Sequence, residues 1–365
     1  MNKSVEATMK IYFKHRMCKQ SMLAVILYMV LTLFAGCGKS DTPVNGETGT
    51  SVAIIETPIV ETVVSESTET GKETVVIPER ESVPEVMPEV LAYSGEPDTS
   101  WYTGKITEYT IYTAEQLMGF QELRKEGNSF EGIIIKLGED ITINSGDVEY
   151  IEENAEECYN WTPIASDLEF KGVFDGQGHT ISGLCMKLGK SANKGMFGTL
   201  GENSVVKNFT LDNSYFCGPK EDKKNTFGAI AGQIIGSNVI ISNVTCNNVV
   251  VEEGKGKELK WVGGFVGKVN AEAGLTMENC TFNGRVSITG EAGGGFIGFL
   301  SHSKAKVTMK KCAFNGSVEA GEYAGGMIGY AKKFKKLIMD IECTFPGKVI
   351  CSGKHFGITT GNDGK

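Results

Sequence analysis

Few residues in this 365-residue chain are of types that do chemistry on their own. Of four histidines only His179, His302 and His355 lie beyond residue 36, too few for a histidine-based metal or catalytic centre. The densest polar cluster is Asp175-Gly176-Gln177-Gly178-His179. Asp and Gly in that order suit a tight turn between strands at Val173–Phe174 and Thr180–Ile181, so a structural role outweighs an active-site role. Enzymes that cut polysaccharides need paired carboxylates on one face, often with Ca²⁺, and no stretch presents acids at period two in adjacent units. The run Glu149, Glu152, Glu153, Glu156 and Glu157 sits in an irregular insertion and reads as a solvated face. Neither His-Glu-x-x-His nor Cys-x-x-Cys occurs, which argues against zinc chemistry. The expectation is a non-enzymatic protein without a cofactor.

Lysines are the stronger candidates for contact with a partner. Lys304 and Lys306 follow Gly298, and Lys332, Lys333, Lys335 and Lys336 follow Gly329 at matching offsets. Stacked units would bring Lys304, Lys306, Lys333, Lys335 and Lys336 onto one turn face, where crowded ammonium groups suit an acidic glycan or another surface polyanion. Phe334 among them suits either a sugar face or the core. No acid interrupts this set. A second set, Lys220, Lys223, Lys224, Lys255, Lys257 and Lys260, is interleaved with Glu221, Asp222, Glu252, Glu253 and Glu258 and reads as plain solubility.

The elements that must position these residues follow from composition and periodicity. The formal charge is −9, but residues 38–100 hold 13 acids against Lys39, Lys72 and Arg80, and residues 1–36 hold five bases against Glu6. The body is therefore close to neutral, which disfavours nucleic acid as a partner. Residues 38–100, rich in Ser, Thr, Glu and Val with six prolines, cannot bury enough apolar surface to offset their ordering entropy; a disordered tether is expected over 37–100. Met22 to Gly36 carries no charge, is short for a membrane span and follows a basic stretch, as in a secretory signal over 1–36.

The body, 101–365, repeats itself. Gly195-Met196-Phe197-Gly198, Ala229-Ile230-Ala231-Gly232, Gly264-Phe265-Val266-Gly267, Gly295-Phe296-Ile297-Gly298 and Gly326-Met327-Ile328-Gly329 close on glycines 34, 35, 31 and 31 residues apart. A second aligned position is always apolar: Phe209, Val244, Cys280, Cys312 and Cys343. Three residues later come Asp212-Asn213, Asn247-Asn248, Asn283-Gly284, Asn315-Gly316 and Pro346-Gly347, which predict left-handed bends. Period-two alternation between the bends predicts three short strands per unit, and each unit is one coil of a β-solenoid with ladders of like residues inside. The anchor glycines admit either tight bends or close packing between coils. Buried cysteines in the ladder are expected to be reduced, although stacked positions lie within bridging range. Thr113-Ala114-Glu115-Gln116 has the form of a capping box ahead of Leu117, Phe120 and Leu123, which predicts a short helix over the N-terminal end of the solenoid.

Two resemblances extend this reading. Leu33-Phe34-Ala35-Gly36-Cys37 resembles the lipobox of bacterial lipoproteins, apart from Phe34 where that family usually has Leu. It implies a lipid on Cys37 and anchoring on the extracellular face of the bacterial membrane. The glycine anchors, with Leu137-Gly138-Glu139-Asp140-Ile141, Trp161-Thr162-Pro163-Ile164-Ala165 and the segment Phe170 to Ile181, resemble the GLUG repeats of bacterial surface proteins from about Tyr109 to Gly357. That resemblance implies a right-handed parallel β-helix, display at the cell surface, and adhesion or glycan contact.

Overall fold

The computed structural model describes residues 93–125, 127–165, 168–187, 193–218, 226–253, 261–301, 304–331, 337–339, 342–353 and 355–357. The chain divides into two compact units, 1–81 and 82–365, and all described residues lie in the second. The signal, Cys37 and most of the expected tether lie outside the described residues. The end of that tether is a correction: Tyr93 N–H donates to Ile143 O at 2.9 Å and Asp98 N–H to Glu115 O at 2.8 Å, so residues 93–100 belong to the packed body.

The second unit is a β-solenoid. Its long sheet runs, all parallel, through Glu108–Ile111, Ile134–Leu137, Val173–Asp175, Val205–Cys217, Val239–Glu252, Gly274–Glu278, Lys306–Lys310 and Leu337–Met339. A six-stranded sheet stacks Asn193–Lys194, Thr226–Gly228, Trp261–Gly263, Ala292–Gly294, Tyr323–Gly325 and His355–Gly357. A five-stranded sheet stacks Phe197–Leu200, Ala231–Ile234, Val266–Val269, Ile297–Leu300 and Ile328–Ala331. Alternation drives every second residue inward, and parallel register sets like upon like. Val206, Ile241, Met277 and Met309 form one inward ladder, and Leu211, Cys246, Phe282 and Phe314 another, all fully buried. The rings of Phe282 and Phe314 stack at 6.3 Å, and those of Phe265 and Phe296 at 4.8 Å.

Each coil has more straight runs than the three predicted. A strand such as Val205–Cys217 carries three faces around corners at Asn208 and Asn213, and two further runs meet at the glycine anchor. Close approach, not a left-handed bend, is what those glycines provide, since none of the anchor glycines among the described residues has positive φ. A Cβ on Gly298 would lie 2.6 Å from the amide nitrogen of Val262, inside the backbone of the neighbouring coil. The predicted left-handed bends occur at Asn213 (φ 41°) and Asn248 (φ 49°) but not at Asn283-Gly284 or Asn315-Gly316. Register explains the difference: Asn247 pairs with Asn283, then Val250 with Arg285, so the longer coil holds one extra residue that Asn248 absorbs.

Helix α1, Ala114–Lys125, forms as the capping box predicts. Gln116 N–H donates to Thr113 Oγ1 at 3.3 Å, and the Gln116 side chain reaches back to accept from Tyr112 N–H at 2.7 Å. Phe120 packs against Phe170 and Phe174 of the first complete coil, at 6.0 and 6.3 Å between ring centres, and so closes the N-terminal end of the core. The acidic insertion is not irregular throughout: Asp147 caps a second helix, α2, at Val148–Glu153, whose Val148 and Ile151 are buried.

One buried charge stands out. Lys194 is 1% exposed, and burial pushes its ammonium down from 10.5 to about 8. Below that value both folded and unfolded chains are charged, and the folded state carries the desolvation cost. Between pH 8 and 10.5 the unfolded chain binds more protons, so stability should rise with pH in that window. Thermal melts at pH 8 and pH 10 should show this contribution as a difference between proteins: Lys194→Met should be more stable than the wild type at pH 7, and its advantage should shrink as pH rises through the window.

Candidate functional site

The outer surface of the second face carries a regular array. Thr180, Thr210, Thr245, Thr281, Ala313 and Thr344 lie opposite one another on successive coils. Along each strand the flanking outward positions are Asn208 and Asp212, then Asn243 and Asn247, then Asn279 and Asn283, then Lys311 and Asn315. Their neighbours Phe209, Leu211, Val244, Cys246, Cys280 and Phe282 all point inward and are buried, which fixes the threonines outward. The array therefore reads Asn, Thr, Asn in the coils of Thr245 and Thr281, Asn, Thr, Asp in that of Thr210 and Lys, Ala, Asn in that of Ala313, with successive coils about 4.8 Å apart.

The flanking amides form two hydrogen-bonded columns. In the first, Asn208 Nδ2 donates to Asp175 Oδ1 at 2.9 Å, Asn243 to Asn208 Oδ1 at 2.8 Å and Asn279 to Asn243 Oδ1 at 3.0 Å. In the second, Asn247 donates to Asp212 Oδ1 at 3.1 Å, Asn283 to Asn247 Oδ1 at 3.3 Å and Asn315 to Asn283 Oδ1 at 2.9 Å. Each column ends on a carboxylate, and all its amides point the same way, so the bonds polarise one another. Asn208, Asn243 and Asn279 take φ of 61°, 53° and 51°, with Lys311 at 50° in the next coil. Asparagine suits this corner because it tolerates the left-handed region and bonds locally. At the N-terminal end, Gln177, Asn208, Thr210, Asn243 and Thr245 line an open trough of about 440 Å³.

The Asp175 cluster is a turn, as its composition suggests. Gln177 (φ 53°) and Gly178 (φ 91°) bend the chain, Gln177 N–H donates to Asp175 Oδ1 at 3.1 Å, and Lys207 Nζ lies 3.1 Å from Asp175 Oδ2. Burial alone would raise the Asp175 carboxyl, but the bonds from Asn208 and Gln177 and the Lys207 ammonium outweigh it and hold the group below the ordinary carboxylate value. His179 faces Asp140 instead, at 3.1 Å.

Among the predicted lysines, Lys304 and Lys306 are exposed at the start of their coil, with Lys306 opposite Gly274. The expected lack of neutralisation fails at Lys304: Glu272, on the loop before the preceding strand, pairs with it at 2.8 Å and raises its ammonium above the ordinary value. Lys333, Lys335, Lys336 and Phe334 lie outside the described residues, so the shared face is not drawn by the structure. Where charges do stack on the first face, their signs vary: Lys136, Asp175, Lys207, Ser242, Glu278 and Lys310 follow one another in register.

Two further groupings escaped the sequence reading. Trp261, Phe299, Tyr330, Tyr323 and His355 make a continuous stack with ring centres 4.4, 5.4, 4.4 and 4.8 Å apart. Their faces cover one another, so the stack braces the coils instead of offering a platform. Outside the main core, Cys158, Cys185 and Cys217 cluster with Tyr215 beneath α2, and burial raises all three thiols. No disulfide joins the described cysteines. In the ladder, Cys280, Cys312 and Cys343 each donate to a main-chain carbonyl of the preceding coil, Ile241, Met277 and Met309, at 3.4, 3.7 and 3.6 Å. Among the described residues no cluster of His, Cys, Asp and Glu is arranged to hold a metal ion, and no helix is long and apolar enough to cross a membrane.

No protein-family model matches the chain. It is 29% identical over 189 residues to halomucin of Haloquadratum walsbyi, and 28% identical over 156 residues to a protein of Evansella cellulosilytica named as a Gly-rich membrane protein. The aligned regions are 51% and 41% of this chain but only 2% and 16% of those proteins. Among solved structures it is similar to a Bacteroides ovatus protein named as an immunoglobulin A1 protease, at 16% identity and a TM-score of 0.44, over 69% of this chain and 82% of that one.

The amide columns should contribute measurably to stability. Asn243→Ala forces an alanine into the left-handed region and removes bonds to both neighbouring coils, so chemical denaturation should register a loss of about 2 kcal/mol. Asn243→Gly keeps the backbone geometry and loses only the bonds; about half that loss is expected.

Proposed function

We propose that this protein is a membrane-anchored cell-surface lipoprotein whose β-solenoid is a non-enzymatic binding or adhesion module for glycans or anionic surface polymers. The observation that carries the reading is the array of Thr and Asn side chains: a surface that repeats at strand spacing over several coils is matched to a partner that itself repeats. Hydroxyl and amide groups at fixed spacing suit the hydroxyls of a polysaccharide, with contact spread over many weak bonds instead of one deep pocket. The lipobox-like segment ending at Cys37 supports anchoring, since two or three acyl chains at about 0.8 kcal/mol per buried methylene hold a protein on a membrane. The name of the Evansella relative, a membrane protein, is in keeping with an envelope location.

Two measurements check the two halves of this proposal. Metabolic labelling with a fatty acid should mark the wild type and leave Cys37→Ala unlabelled; equal label in both would remove the anchor. The full chain, purified in detergent, should be retained by at least one member of a panel of glycans and acidic polysaccharides without shortening it. Chain cleavage would point to an enzyme, and the absence of retention to a passive spacer of the envelope.

A further inference from the structure

We infer that the outward face centred on Thr210, Thr245 and Thr281 binds an uncharged, extended polysaccharide lying parallel to the solenoid axis, with one sugar per coil. The inference rests on the binding function proposed above and names the partner class and the orientation of its chain. The hydroxyls of these three threonines make no hydrogen bond to another described residue, while the amides on both sides are tied into their columns. A row of available hydroxyls is thus held at fixed spacing between two braced rails, and binding would order little that is not already ordered.

Charge decides the class of polymer. Across the coils containing Thr210, Thr245 and Thr281 the array holds threonines, Asn208, Asn243, Asn247, Asn279 and Asn283, and a single charge at Asp212. Asp212 already accepts from Asn247 and Asn248 at 3.1 and 3.2 Å. An anionic chain would gain nothing from such a surface and would meet Asp212, whereas neutral hydroxyls pair with amide and hydroxyl groups at little desolvation cost. Geometry decides the orientation. Equivalent threonines recur every coil at about 4.8 Å; an extended, equatorially linked hexose chain advances slightly more than this per sugar and turns over at each step, so successive sugars would meet successive threonines with alternate edges. Across the strand, outward positions lie about 7 Å apart, and the row ends at a corner after three residues, leaving no room for a long chain in that direction.

The test uses the full chain in detergent with cellulose and chitin as neutral extended polymers, amylose as a neutral coiled one, and polygalacturonate as an anionic one. The triple variant Thr210→Val, Thr245→Val, Thr281→Val keeps β-branched side chains and removes only the hydroxyls, and circular dichroism with thermal melting confirms the fold. A control, Thr276→Val with Thr308→Val, makes the same change on the neighbouring face. The expected result is retention of the wild type and the control on cellulose or chitin but not amylose, insensitive to salt, and weakened about tenfold or more in the triple variant. Equal retention of the triple variant overturns the inference. Salt-sensitive retention on polygalacturonate alone also overturns it while leaving a surface-binding function in place. Retention on none of the four overturns both.

Discussion

The structure depends on one constraint, the parallel main-chain register that sets each residue against its equivalent one coil away. Once that register is fixed, a side chain's principal neighbour is a copy of itself or its substitute. Residues that satisfy one another when stacked are favoured: asparagine donates to asparagine, phenylalanine stacks on phenylalanine, and β-branched side chains pack in rows. Residues that repel when stacked must be offset. The first face does this by placing Asp175 between Lys136 and Lys207 and Glu278 before Lys310, and Lys304 finds Glu272 across the gap between coils.

The same register explains where glycine is needed. At the anchors two runs of chain fold together and the neighbouring coil packs against the fold, so main chain meets main chain with no space for a side chain. Phe265 and Phe296, next to those glycines, turn into the core and stack there. Those glycines have close backbone contact on one side and the filled core on the other, while the long sheet carries strands of up to 14 residues. The surface best suited to a repeating ligand is on that long sheet, where Thr210, Thr245 and Thr281 form an unbroken row as far as Ala313.

Ends are the weakness of any solenoid, since the last coil exposes unpaired main chain. At the N-terminal end the problem is met by α1, whose Phe120 enters the ring cluster of Phe130, Phe170 and Phe174. Residues 93–100 brace that helix in turn, with Asp98 bonded to Glu115 and its carbonyl against Gly119. The satellite cluster under α2 adds lateral support: Tyr215 donates to Glu252 at 2.6 Å, and Arg285, two coils beyond Tyr215, donates to Glu152 of α2 at 2.6 Å.

Local periodicity made much of this legible. Alternation identifies inward residues because strand geometry reverses direction at each step, and the Val244, Cys280, Cys312 ladder needed only that rule. The capping box at Thr113 is likewise a contact within four residues. The role of the glycines, the number of runs per coil and the site were decided by tertiary structure. Asn243 reaches Asn208 across 35 residues, Asn279 reaches Asn243 across 36, and Lys304 reaches Glu272 across 32. Those separations differ because the loops between strands differ in length, and a shift of one residue turns every side chain to the opposite face. Sequence alone determined that like residues recur and which of them point inward; only the folded register, which absorbs an extra residue at Asn248 and none at Gly284, decided which outward residues share a row.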